Sequence, residues 1–162
     1  MTVVHGLPAH VLLVHFVVVL APLTAVLEIV CALWPAARRQ LVWLTLLLAL
    51  VTTALTPITT DAGEWLYNLR RTPSPILREH ADRGGWMIYF SVALLVVALV
   101  LAVLHVRERR SGRRSVAANV VVLALALAVG ISSMIQVYRI GDAGAQSVWG
   151  GEIANLEKNN KR

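Results

Sequence analysis

HVLLVHFVVVLAPLTAVLEIVCALW, residues His10 to Trp34, holds one acid and no lysine or arginine in 25 residues. A helix needs about 20 mostly apolar residues to span the hydrocarbon core of a bilayer, so this stretch reads as a transmembrane helix. Three more stretches have that character: Leu41 to Thr60, Gly84 to Leu104 and Val116 to Tyr138. Helices are the expected form, because an open sheet edge cannot face lipid. The fold class predicted is all-α, a four-helix transmembrane bundle over residues 1–140, followed by a polar C-terminal tail over 141–162.

Composition agrees. Of the 162 residues, 57% are hydrophobic and only 15% are charged, with a mean hydropathy of +0.69. Soluble domains carry about 25% charged residues. The net charge of +6 does not point to nucleic acid, because the basic residues sit at the ends of apolar runs. A single cysteine, Cys31, excludes an intrachain disulfide and a structural zinc site built on cysteines. No lysine or arginine precedes the first apolar run, which is longer than a signal-peptide core, so it reads as a retained helix.

Charge orients the chain. The connections after the first and third spans carry Arg38, Arg39, Arg107, Arg109, Arg110, Arg113 and Arg114. Short arginine-rich connections favour the cytoplasm. Both termini and the middle connection are therefore expected outside a bacterial plasma membrane. Trp34 and Trp43 would mark the inner interface; Trp65, Trp86, Tyr89 and Tyr138 would mark the outer one. In the middle connection, Asp61-Ala-Gly-Glu64 has capping-box spacing. It predicts a short interfacial helix there, carrying Trp65, Leu66 and Leu69 on one side and ended by Pro73 and Pro75. The last residues, Asn159 to Arg162, read as frayed.

Two stripes predict packing seams. Thr45, Ala49, Thr52, Thr56 and Thr59 share one face of the second helix, and Ala126, Gly130, Ser133 and Gln136 lie along the fourth. Small residues let helices approach closely and hydroxyls can bond across the contact. Packing explains such stripes more simply than a ligand does.

The histidines and acids carry the functional candidates. His5, His10, His15 and His80 fall near the outer side, with Asp61, Glu64, Asp82 and Asp142, while His105 is inner. His10 and His15 are five residues apart, about 140° around a helix, so they serve different partners unless the helix breaks. His80 opens the third span, from where it could approach the first helix across the bundle. A b-type haem could take His15 with His80, or His10 with His80, as axial ligands. A transition-metal site could use His10, His80, Asp61 and Glu64. A hydrogen-bonded structural role remains the simpler account of any one histidine. Glu28 is the one acid deep in an apolar run, five full turns after His10 on the same face. It is a proton-carrying candidate, against a structural alternative in which it bonds a threonine of the second helix or an inner arginine.

No hydrolase-like nucleophile and base, and no phosphate-binding loop, is present in the sequence, which points away from an enzyme. Transport ranks third, because no helix has the paired Gly/Pro interruption that marks a midplane site. The leading expectation is a non-enzymatic membrane component of a redox system, and the alternative is a structural or assembly subunit without a cofactor. A homo-oligomer is a further candidate assembly.

The opening Gly6-Leu7-Pro8-Ala9-His10-Val11-Leu12-Leu13-Val14-His15-Phe16 resembles the start of a bacterial, largely actinobacterial family, the domain of unknown function DUF2231. That family begins its first helix with a His-Pro-x-x-x-x-His-Phe type motif. His10 and His15-Phe16 match it, and Val11 replaces the proline. Thr59-Thr60-Asp61-Ala62-Gly63-Glu64, His80-Ala81 and Gly141-Asp142-Ala143-Gly144-Ala145 are similar to further segments. In the last of these, Asp142 stands where relatives have histidine. The resemblance implies a four-helix membrane domain. Relatives fused to Rieske iron–sulfur domains imply electron transfer and a membrane redox complex or Rieske-type protein as partner. This chain carries no Rieske ligands, so such a centre would belong to that partner.

Overall fold

The computed structural model describes residues 3, 4 and 6–160. It opens on a small hairpin, β1 (Val3–Val4) paired antiparallel with β2 (Leu7–Pro8), turned at Gly6 with φ 81°. Five helices follow: α1 (Ala9–Leu33), α2 (Pro35–Asn68), α3 (Pro75–Gly85), α4 (Met87–Ser111) and α5 (Val116–Asn160). Four spans are long and apolar enough to cross a membrane, with α3 and α4 together forming the third. The expected all-α membrane bundle is the fold, and His5, Lys161 and Arg162 lie outside the described residues.

The breaks follow local chemistry. Trp34 is extended, at φ −122° and ψ 101°, because the following Pro35 disfavours helical geometry in the residue before it. Pro35 then occupies the first position of α2, where its missing N–H costs nothing. The second span thus starts six residues before the expected Leu41. Its other end also differs. Asp61–Glu64 does not begin a new helix, because α2 runs straight through it to Asn68. A capping box starts a helix only where the preceding chain is not already helical. Here the buried face continues in phase through Thr56, Thr59 and Ala62. The short helix that follows the second span is α3, which leads into α4, and Pro75 begins it where the sequence predicts a helix end. Ser74 caps it by accepting from the Leu77 N–H at 3.3 Å. Gly112, left-handed at φ 62°, closes α4. α5 continues past Ile140 as unbroken helix to Asn160.

The bundle is small inside and large outside. Ala21, Ala25, Ala49, Ala98 and Ala126 are wholly buried, while Val19, Val96, Val103 and Val120 are more than half exposed. Lipid tails are as apolar as valine, so burying bulk gains little there, and close backbone approach decides the packing. At Gly130 an added Cβ would lie 3.1 Å from Ile29 Cδ1, so α1 and α5 nearly touch. The threonine stripe of α2 is buried along its length, as a seam should be. Its hydroxyls bond backwards: Thr45, Thr52, Thr56 and Thr59 each donate to the carbonyl four residues earlier, and Thr45 Oγ1 also lies 3.6 Å from Cys31 Sγ across the seam in α1. Thr53, beside the stripe, also donates to Ser91 O in α4 at 2.9 Å.

Candidate two-histidine site

His10 stands in the first turn of α1, and its Nδ1 lies 2.9 Å from Thr59 O in α2. His80 stands in α3, and its Nδ1 lies 2.9 Å from Ile140 O in α5. A carbonyl oxygen only accepts, so each Nδ1 must carry the hydrogen. In the neutral ring that leaves Nε2 with its lone pair, the arrangement by which proteins orient a ligating imidazole. The two rings meet edge to face, with centroids 6.2 Å apart and planes at 82°.

A glycine makes room for each ring. A Cβ on Gly63 would lie 2.7 Å from His10 Nδ1, and one on Gly144 would lie 3.0 Å from His80 Cε1. In each case the glycine follows, by four residues, the carbonyl that the histidine bonds. One helical turn of α2, and one of α5, supplies both the acceptor and the space.

The structure thus brings His80 to His10 and not to His15. His15 is exposed, and its Nδ1 bonds Val11 O of its own helix at 2.6 Å. The five-residue spacing that separates it from His10 around α1 turns it away from the bundle. Asp61 and Glu64 are both exposed. Among the described residues no three His, Cys, Asp or Glu side chains gather closely enough to hold a metal ion, so His10 and His80 stand as a pair.

Glu28 is fully buried on α1, and neither carboxylate oxygen has a hydrogen-bond partner among the described residues. The threonine or arginine partner that its structural alternative requires is not hydrogen-bonded to it. Arg38, one of the arginines expected at the inner interface, has another partner: its Nη2 donates to Glu108 Oε2 at 2.7 Å, with Arg38 only 1% exposed. Asn119 Nδ2 donates to the other oxygen of Glu108 at 3.0 Å. This junction of α2, α4 and α5 was not anticipated, since Arg38 had been assigned to a loop. The signal was available: Arg38, Val42 and Thr45 continue the threonine stripe backwards at helical spacing. His105, also buried, stacks edge to face with Trp43 at 6.4 Å.

The family model described as "Predicted membrane protein (DUF2231)" matches residues 6–157. No curated protein and no solved structure matches the chain.

Proposed function

The chain belongs to the DUF2231 family of predicted membrane proteins, and from that membership and the paired histidines we propose that it is a non-enzymatic component of a redox system in a bacterial plasma membrane, holding a b-type haem between His10 and His80. The observation that carries this reading is the pair itself: two imidazoles with centroids 6.2 Å apart, each with Nδ1 engaged by a backbone carbonyl. The donor set favours haem over a bare ion. Zinc takes about four ligands, and two histidines would leave it half satisfied. A porphyrin brings its own four nitrogens and asks the protein only for axial ligands. Bound there, haem supplies one-electron transfer.

The chain's own residues do the rest. Thr59 O and Ile140 O fix the tautomer and direction of each ring. Gly63 and Gly144 hold the helices close enough for those bonds to form. Glu28, buried and without a hydrogen-bond partner among the described residues, carries a proton in the inner half of the bundle. The arginine-rich connections face the cytoplasm and both termini lie outside, which puts the histidine pair at the outer end. An iron–sulfur centre of a partner complex, or another copy of the chain, would exchange the electron.

A second reading has its own observation. The two histidine bonds tie α1 to α2 and α3 to α5, a bracing role complete without a ligand, as an assembly subunit would use it. The visible spectrum of protein purified in mild detergent, oxidised and then reduced, separates the two. A Soret band that shifts on reduction supports haem. A featureless spectrum from folded protein that also fails to take up added hemin rejects it in favour of bracing.

A further inference from the structure

Asp-Ala-Gly occurs twice in the chain, at Asp61-Ala62-Gly63 and at Asp142-Ala143-Gly144. In both places the glycine receives a histidine ring, and the carbonyl four residues before it accepts from that ring at the same 2.9 Å. Aligning α2 with α5 on these triplets brings their buried faces into register. Thr45 meets Ala126, Ala49 meets Gly130, Thr52 meets Ser133, and Thr59 meets Ile140, all buried.

Aligning α1 with α3 and α4 on His10 and His80 does the same. Val17 meets Met87, Ala21 meets Ser91, Glu28 meets Ala98, and Cys31 meets Leu101, again all buried. The packing repeats too: α1 lies on α5 as α4 lies on α2. Each offset is set by the histidine contact, and each also brings the buried positions into register.

We infer that residues 9–68 and 75–160 are two copies of one helical hairpin, related by a pseudo-twofold axis along the membrane normal, and that His10 and His80 are the equivalent halves of one site astride that axis. Parallel repeats of this kind place their shared site where the copies meet. Such a site fits a ligand with two like coordination positions on opposite faces, as a bis-axially ligated metalloporphyrin has. This last step rests on the cofactor reading above; the repeat does not. The copies differ where the site is not shared. Glu28 and Arg38 of the first copy correspond to Ala98 and Asn119 of the second, so these two buried charged residues have no charged counterpart in the other copy.

The test uses the full-length protein in mild detergent with isotope-labelled histidine. Nitrogen NMR should show both rings as Nδ1–H tautomers. Gly63→Ala should shift the His10 signals, and Gly144→Ala the His80 signals, in the same direction. Different tautomers, or a glycine variant that leaves its own ring unmoved, would overturn the equivalence. A titration with hemin tests the ligand. Equal weakening in His10→Ala and His80→Ala supports a ligand held by both halves, and loss in one variant alone overturns it. Matched rings in a wild-type protein that takes up no hemin would reject the porphyrin and the cofactor reading while the twofold site stands.

Discussion

Arg38 and Glu108 join the start of α2 to the end of α4 through a 2.7 Å ion pair, with the arginine 1% and the glutamate 13% exposed. The arginine has left water and the glutamate largely so, and a buried charge depends on its partner to offset the cost of desolvation. Removing one partner strands the other. Arg38→Ala and Glu108→Ala are each expected to lose about 3–5 kcal/mol of stability. The double change Arg38→Met with Glu108→Leu should lose much less. Thermal unfolding in one detergent reads all three; a loss in the double equal to the sum of the two single losses would show that the charges do not act as a pair.

Glu28 presents the opposite case, a buried carboxyl with no hydrogen-bond partner among the described residues. Glu28→Met keeps much of the volume and removes the polar atoms. It is expected to raise stability by about 1–3 kcal/mol. Infrared spectra should at the same time lose a carboxyl band. A drop in melting temperature would mean that the carboxyl has a partner, such as an internal water.

His10 and His15 share a helix and differ in what they face. His15→Ala should leave the visible spectrum of a haem-loaded sample unchanged, since His15 is exposed and bonds only its own helix. His10→Ala should abolish its low-spin form, which needs two strong axial ligands. A spectrum that changes with His15 and survives loss of His10 would move the ligand to the outside of the bundle.

Orientation is readable by labelling. Cys31 is buried, so a cysteine introduced at Ser74 or Ser111, both exposed, can be probed against a quiet background. Ser74→Cys is expected to react with an impermeant maleimide added to intact cells, and Ser111→Cys only after the membrane is opened. The reverse pattern would invert the topology.

The sequence made the spans legible because a bilayer imposes length and apolarity on each helix separately. The threonine seam was legible for the same reason, being a periodicity within one element. Helix ends were harder to read. The capping-box spacing at Asp61 is a true local preference, overridden because Thr59 and Ala62 continue a face already buried. The histidine pair was half legible. Composition nominated His10, His15 and His80, but their choice among one another depends on where α2 and α5 put their carbonyls and glycines. Arg38 was missed because loop arginines and buried arginines look alike until the helix boundary is known.

At about 1.5 Å per residue, the 45 residues of α5 reach about 68 Å, more than twice the thickness of the hydrocarbon core. At the tilts of up to about 40° that transmembrane helices take, such a helix outruns the core. Its last turns would then stand clear of the membrane, a mast rooted in the same turn that cradles His80. A spin label or gold particle at Asn155 would therefore act as a pointer, turning small rotations of the buried bundle into displacements large enough to measure from outside.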